Sequence, residues 1–155
     1  MANNLGKEFE ARLKRDWEDT VPNSFIYRLK DVTMGYKFIG NVSDFVAYKK
    51  PDMFLIEAKS HKGNTFPFSA FRQYKELTEY DNIEGLHPGV ILWMIDHNLV
   101  LWIPIQTFEK LEAEGKKSFN VKYIDDYECL VIPSDKRRVF MRSDYSALIN
   151  YYKEK

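Results

Sequence analysis

Near the start of the chain, apolar residues recur every four positions: Leu5, Phe9, Leu13 and Trp17. This spacing places them on one face of a helix and predicts that this face is buried. Asn3 or Asn4 is positioned to cap the helix, which we expect to run to about Glu18. The segment Val21-Pro22-Asn23 then ends it, because proline interrupts the helical pattern.

Residues 25–29 alternate apolar and polar side chains with a period of two, which is typical of a half-exposed β-strand. Two further strand-like runs cover residues 44–48 and 53–60. The last two are separated by Lys49-Lys50-Pro51-Asp52, whose proline and aspartate suit a tight turn, so we expect an antiparallel hairpin. Residues 31–41 contain two glycines and predict a loop or an irregular hairpin.

The middle of the chain combines a helical pattern with two strongly apolar runs. Residues 69–80 predict a helix that carries Phe71, Tyr74 and Leu77 on one face. Residues 89–95 and 99–103 are apolar at nearly every position, which is typical of strands that are buried on both faces.

The last third of the chain predicts shorter elements. A helix over residues 108–114 is expected to start at a Thr107 cap and to end at Gly115. Residues 121–124 and 129–132 resemble strands, and the final helix is expected to start at Ser143 or Asp144 and to run through Tyr152. The order of elements predicts an α/β sandwich, in which a mixed central sheet is flanked by helices on both faces.

Composition is consistent with one globular domain over residues 1–155, because 45% of the positions are apolar and no linker or repeat interrupts the chain. No apolar run is long enough to span a membrane, and the N-terminus has no signal-peptide core. The single cysteine, Cys129, excludes an internal disulfide and a cysteine zinc site. We therefore expect a cytoplasmic protein without a membrane partner.

Lys and Arg together balance Asp and Glu at 23 each, so the net charge does not mark a nucleic-acid binder. The positive charge is nevertheless clustered, at Lys49-Lys50, at Lys116-Lys117 and at Lys136-Arg137-Arg138 with Arg142. Such clusters either contact phosphate, if the fold gathers them on one face, or are solvated loop ends.

Candidate chemistry lies in the central hairpin. Glu57 and Lys59 are two positions apart on a strand and share a face, whereas Phe54, Ile56 and Ala58 point to the other side. The turn folds the preceding strand back, so that Asp44 approaches the same patch. Two carboxylates beside a lysine suit a Mg²⁺ ion and phosphodiester hydrolysis. The alternative is an exposed strand face with an ordinary surface ion pair.

These residues resemble the PD-(D/E)xK nuclease superfamily, with its restriction-endonuclease-like core, and most closely the RecU-type Holliday-junction resolvases. The similarity rests on five segments that occur in the same order along the chain. They are Asn4-x-Gly6-x-x-Phe9-Glu10, Ser43-Asp44-Phe45, Glu57-Ala58-Lys59, Thr65-Phe66-Pro67-Phe68 and Arg142-Ser143-Asp144-Tyr145.

The resemblance implies that Asp44 and Glu57 bind Mg²⁺ or Mn²⁺, without a small-molecule cofactor, and that Lys59 assists the attacking water. It also implies that Glu10, rather than Glu8, leans toward the metal site. The sequence Pro51-Asp52 matches the superfamily's name, but it falls in the predicted turn, so we assign the catalytic aspartate to Asp44.

DNA contacts are expected from further polar residues: Arg28, Lys30, Lys37, Gln73, Arg137, Arg138 and Arg142. For Gln73 an exposed helix amide is an equal alternative, and for Arg28 and Lys30 a solvated strand edge. Phe66 and Phe68 either belong to the core or stack on unpaired bases.

One segment departs from the resemblance. RecU-type enzymes carry a long stalk before the catalytic aspartate, whereas only residues 31–43 are available here.

We expect a homodimeric endonuclease that acts on four-way DNA junctions, since symmetric cleavage needs two equivalent sites. The alternatives are another nuclease of this superfamily, of the restriction or repair type, and a nuclease-fold protein that only binds DNA or a partner.

Overall fold

A computed structural model of the protein describes residues 2–30, 32–34, 37–39, 41–71 and 73–155. Within these ranges the helices are α1 (Ala2–Thr20), α2 (Tyr74–Thr78), α3 (Ile105–Ala113) and α4 (Ser146–Lys153). The strands in the first half of the chain are β1 (Phe25–Arg28), β2 (Val32–Met34), β3 (Lys37–Ile39), β4 (Phe45–Lys49), β5 (Asp52–His61) and β6 (Thr65–Pro67). Those in the second half are β7 (Leu86–Met94), β8 (Leu99–Pro104), β9 (Ser118–Asn120), β10 (Leu130–Ile132), β11 (Ser134–Lys136) and β12 (Met141–Ser143).

Six of the strands form a central sheet in the order β1-β4-β5-β7-β8-β10. Neighbouring strands are antiparallel except β5 and β7, which are parallel. A parallel pair requires a crossover connection, and here that connection contains β6 and α2. The predicted mixed sheet and the predicted β4–β5 hairpin are both confirmed.

Two apolar cores cover the two faces of this sheet. Phe54, Ile56 and Ala58 of β5 pack on the face that is covered by α1 and α4. Leu55 of the same strand belongs to the second core, which includes buried residues of α2 and α3. The alternation along β5 therefore produces the sandwich that the sequence predicts.

The helix predicted over residues 69–80 is wrong in extent. A short 3-10 helix covers Phe68–Ala70, and α2 begins only at Tyr74. The rings of Phe68, Phe71 and Tyr74 surround Phe108 of α3, with centroids 5.5, 5.3 and 6.2 Å from it. The helical spacing of the apolar residues thus serves aromatic packing, while only five residues form α-helix.

Three predicted caps are also corrected. The first helix already begins at Ala2, so Asn3 and Asn4 lie within it. Thr107 is buried inside α3, which begins after Pro104, and its hydroxyl donates to the carbonyl oxygen of Glu128. At the last helix, Asp144 accepts a hydrogen bond from the Ser146 N–H at 3.0 Å, whereas Ser143 lies in β12.

Residues 121–124 do not form a strand. Val121–Tyr123 is a 3-10 helix, and the side chain of Asn120 caps it by accepting from the Lys122 N–H at 3.0 Å. Gly115 has the predicted left-handed backbone, with φ of +82°. In the described ranges, no helix has the length and apolar character that crossing a membrane requires.

Candidate active site

Asp44 directly precedes β4, at the end of the hairpin where β5 extends beyond its partner strand. Phe45 pairs with Ile56, so the register continued by one residue brings Asp44 opposite Glu57. The Asp44 N–H donates to the carbonyl oxygen of Ile56 at 3.1 Å, and its Oδ2 accepts from the Ala58 N–H at 2.9 Å. The Asp44 carboxylate thus binds a backbone donor of β5 beyond the end of β4, which fixes its position beside Glu57.

Glu57 is the most unusual charged residue of the hairpin. Its side chain lies on a strand in the middle of the fold and is only 1% exposed. Neither carboxylate oxygen has a hydrogen-bond partner among the described residues. Burial and the neighbouring Asp44 carboxyl together raise the pKa of Glu57 to about 9, against the opposing effect of Lys59. This carboxylate is therefore buried without the compensating contacts that such groups normally have.

Lys59 follows Glu57 on the same face of β5, as the sequence predicts. The residues between and beside them, Ile56 and Ala58, belong to the core under α1. Lys59 is half-buried, and its ammonium group favours the charged forms of both Glu57 and Glu10. The structure therefore brings one cation and two carboxylates of the predicted site together.

Arg28 connects the hairpin to the first helix. Its Nη2 lies 3.3 Å from Oε2 of Glu10 and 3.7 Å from Oδ1 of Asp44. Its Nη1 also donates to the carbonyl oxygens of Leu29 and Asp44. Arg28, which we predict to bind phosphate, is thus occupied with the site's own carboxylates in this structure.

Glu10 approaches the site, whereas Glu8 does not. Burial raises the pKa of Glu10, the Asp44 carboxylate adds to the shift, and Arg28 opposes it. Glu8 is exposed and lines a separate groove with Arg12 and Arg15 on the other side of α1. The placement of the two glutamates agrees with the sequence analysis, while a catalytic role for Glu10 stays a prediction.

The donor set fits a divalent cation in part. Among the residues that the structure describes, no three His, Cys, Asp or Glu side chains are grouped as a metal site. Asp44 and Glu57 nevertheless present hard oxygen donors, and Glu57 has two buried oxygens without partners. Mg²⁺ commonly takes one or two protein carboxylates and completes its shell with water and substrate oxygens.

The predicted basic residues of the C-terminal region lie on a hairpin. Arg137 and Arg138 are exposed in the turn between β11 and β12, and Arg142 is exposed on β12. The hairpin is attached to α1, because the Ser143 N–H donates to Asp16 at 2.9 Å and the Arg12 guanidinium lies 4.2 Å from the centroid of the Phe140 ring. These cations therefore flank α1, which carries Glu10 toward the carboxylates.

The remaining predicted contacts are not part of this cluster. Lys30 is exposed, and its carbonyl oxygen accepts from the Asn41 side chain at 2.6 Å. Gln73 precedes α2 and has no recorded contact with Asp44 or Glu57 within the described ranges. Lys37 belongs to β3, but its side chain is outside the described residues.

For the two aromatic residues that follow β5, the structure supports the alternative in which they pack in the core. Phe66 is 1% exposed, and the partly buried Phe68 packs on the ring of Phe108. Neither side chain is available as a stacking platform for bases. The exposed aromatic residues of the described ranges lie elsewhere, on β1 and β4, and the sequence analysis assigns them no role.

Comparisons with known proteins yield a likeness of fold. No family model and no curated protein matches the sequence. The structure is similar to that of Hjc from Archaeoglobus fulgidus, a Holliday junction resolvase from an archaeal hyperthermophile, with a TM-score of 0.58 and 19% identity. The match covers 79% of this chain and 93% of the other chain. It confirms the predicted fold class, a mixed central sheet flanked by helices.

Proposed function

We propose that the protein is a metal-dependent endonuclease that cuts branched DNA at four-way junctions, and that residues 1–155 act as one nuclease domain. The observation that carries this proposal is the pairing of Asp44 with Glu57 beside Lys59. A fold that buries a carboxylate without hydrogen-bond partners loses stability, so the arrangement is best explained by a cation that binds there.

In this proposal Asp44 and Glu57 hold a divalent cation, Mg²⁺ or Mn²⁺. When bound, such an ion offsets the charge of the scissile phosphate and makes a water molecule easier to deprotonate. The hydrogen bond from the Ala58 N–H keeps the Asp44 carboxylate in a fixed orientation. Since the backbone holds one ligand and the strand interior holds the other, little reorganisation is needed when the cation binds.

Lys59 acts on the substrate side of the site. Its ammonium group orients the attacking water or stabilises negative charge that develops on the phosphate oxygens. Glu10 and Arg28 have a positioning role, because Arg28 bridges Glu10 to Asp44. Substrate phosphate competes with these carboxylates for the guanidinium group, so Arg28 also remains a candidate phosphate contact.

The choice of four-way junctions as substrate has two supports. The sequence motifs resemble those of RecU-type resolvases, and the fold is similar to that of a Holliday junction resolvase. Cleavage of two opposed strands requires two equivalent sites, so we propose a homodimer. The exposed arginines of the β11–β12 hairpin are proposed to contact phosphates beside the site.

The test is incubation of the purified protein with a four-way junction, a nicked duplex and a linear duplex of the same sequence. We expect cleavage of the junction in Mg²⁺ or Mn²⁺, binding without cleavage in Ca²⁺, and no cleavage in EDTA, because Ca²⁺ takes longer and looser oxygen shells. The Glu57→Gln protein, purified in parallel, controls for contaminating nucleases.

Each alternative outcome has a defined meaning. Equal cleavage of linear and branched DNA would replace the resolvase with a nuclease of the restriction or repair type. Junction binding without cleavage in any metal would leave a protein that only binds DNA. Turnover in EDTA would contradict the metal-dependent mechanism itself.

A further inference from the structure

The exposed aromatic side chains of this protein are concentrated on one face of the sheet. Most aromatic residues are buried, but Phe25 and Tyr27 of β1 are each 52% exposed and Tyr48 of β4 is 42% exposed. No other aromatic side chain in the described ranges is exposed to this degree. We call Phe25, Tyr27 and Tyr48 the aromatic face.

Strand register connects the aromatic face to the candidate active site. Phe25 is opposite Tyr48, which is opposite Met53, and Tyr27 is opposite Val46, which is opposite Leu55. Met53, Leu55 and Glu57 alternate along β5 and therefore share one face. Successive rows are about 7 Å apart, so the row of Tyr27 adjoins that of Glu57 and the row of Phe25 and Tyr48 is about 14 Å away.

The rings have a geometry that suits planar ligands. Those of Phe25 and Tyr27 are parallel to within 2°, with centroids 6.3 Å apart. Successive bases in a stacked strand are about 3.4 Å apart, so this separation is close to that of alternate bases. Aromatic side chains on exposed strands bind unpaired DNA by stacking on its bases.

Charge at both ends of the aromatic face favours a polyanion. Lys49 and the exposed Lys50 follow Tyr48, and Lys30 is exposed beyond the other end of β1. Asp52, at the start of β5, is 8% exposed and lies 2.7 Å from Nε2 of His87. A two-fold contact between copies of this chain would bring like charges together, whereas a nucleic-acid strand would neutralise them.

We propose that the aromatic face binds unpaired bases of the substrate strand next to the phosphodiester that is cut. This inference rests on the proposed function, because it assigns a substrate feature to the same site. An extended strand that leaves Glu57 along this face reaches Tyr27 first and Phe25 and Tyr48 next. The protein then favours DNA in which the bases beside the cut are unpaired, or are unpaired on binding at a branch point where stacking between the arms is interrupted.

The test measures binding of a labelled oligothymidine and of a duplex to the full chain in EDTA, so that no cleavage is required. In Phe25→Leu/Tyr27→Leu, apolar character is kept but the ring faces are lost, and we expect the oligothymidine affinity to fall about tenfold. Phe25→Tyr/Tyr27→Phe keeps both rings and should retain the affinity. Val131→Ala, which alters a 41% exposed residue on the opposite edge strand, is the matched control.

Two further measurements make the outcome decisive. The molecular mass of each variant is determined in solution, and Tyr48→Leu provides a second variant on β4 if the double variant fails to fold. Fluorescence of 2-aminopurine, placed in an otherwise unpaired strand, should be quenched in the wild-type complex and recover in the leucine variants.

Unchanged oligothymidine affinity in the leucine variants would overturn this inference. A loss of affinity that accompanies dissociation of a dimer would also overturn it, because the face would then join two copies of the chain. Loss of affinity at constant mass, together with retention in the ring-preserving variant, supports it. A protein that binds oligothymidine through this face but never cuts a junction would refute the proposed function alone.

Discussion

Strand β5 buries two carboxylates, one at its first residue and one near its middle, and their surroundings differ. Asp52, at the hairpin turn, is 8% exposed and lies 2.7 Å from Nε2 of His87. The His87 ring in turn stacks on Tyr152 of α4, with centroids 3.8 Å apart. Glu57, five residues further along, is more deeply buried and has no hydrogen-bond partner among the described residues.

This difference separates a structural carboxylate from a candidate catalytic one. Asp52 joins β5 to β7 through a hydrogen bond with His87, whose ring stacks on Tyr152 of α4, so the cost of its burial is offset. The burial of Glu57 is not offset by any such contact, and the neighbouring Asp44 makes its ionisation harder. Within one strand, the fold therefore satisfies the acid that holds the sheet together and leaves the other acid available for a ligand.

The largest expected effect is on cleavage. Asp44→Asn and Glu57→Gln should each lower junction cleavage by at least ~10³-fold, because each replaces a proposed metal ligand by a neutral amide. Junction binding should remain close to that of the wild type. Asp52→Asn, at the first residue of β5, is the matched control, and it should cleave normally wherever it is folded. Substantial cleavage by either site variant would move the metal site elsewhere.

Lys59→Ala should come next, with a loss of turnover of about 10²-fold to 10³-fold and little change in junction affinity. Lys62→Ala, which alters an exposed lysine just after β5, controls for the loss of one positive charge. Metal binding is measured in parallel by calorimetry. If metal affinity collapses in Lys59→Ala, the lysine holds the site together rather than acting on the water.

Stability should change in opposite directions when the two buried carboxylates of β5 are replaced. Asp52→Ala should lower the free energy of unfolding by about 1–3 kcal/mol, because His87 loses its partner. Glu57→Gln should raise it by about 1 kcal/mol or more in EDTA at neutral pH, because folding of the wild type must protonate a carboxyl that is ionised in the unfolded chain, whereas the amide is neutral in both states. Urea unfolding at two pH values measures both effects.

The pH dependence follows from the direction of the Glu57 shift. Its pKa is higher in the folded than in the unfolded chain, so folding takes up a proton and stability falls as the pH rises between the two values. The gain from Glu57→Gln should therefore grow from mildly acidic to alkaline pH. A gain that is independent of pH would show that the pKa of Glu57 is the same in the folded and unfolded chains, and would contradict the raised value.

The sequence predicts the local part of this comparison well. Alternation along β5 separates Glu57 and Lys59 from Ile56 and Ala58, and the turn explains how Asp44 reaches Glu57. These relations depend on neighbouring positions and on one hairpin register. Even so, the spacing alone does not distinguish a buried carboxylate without partners from a surface ion pair, because burial depends on elements that are distant in sequence.

Other features depend on tertiary placement and cannot be predicted from the sequence. Arg28 pairs with Glu10 only because α1 crosses β1. From the sequence alone, an arginine on a strand is instead consistent with a phosphate contact. In the sequence, Phe25 and Tyr27 resemble core residues, since aromatic side chains on strands are usually buried. The helices on their side of the sheet pack over other strands, in the second core, and leave these two rings exposed. The short α2 reflects packing around Phe108 rather than a helical period.

The smallest expected effect concerns the contribution of the basic residues to DNA binding. Here the comparison is between two clusters of cations instead of two carboxylates. Arg137 and Arg138 are exposed on the hairpin that packs on α1, whereas Lys116 and Lys117 lie in the segment after α3. Arg137→Ala/Arg138→Ala should weaken binding to junction and linear DNA alike by several-fold and lower the slope of log affinity against log salt by about two. Phosphate contacts carry no shape information, so the preference for the junction should persist. Lys116→Ala/Lys117→Ala, which removes the same charge, should leave both affinities unchanged, and an equal loss in this variant would mean that DNA responds to overall charge rather than to the hairpin.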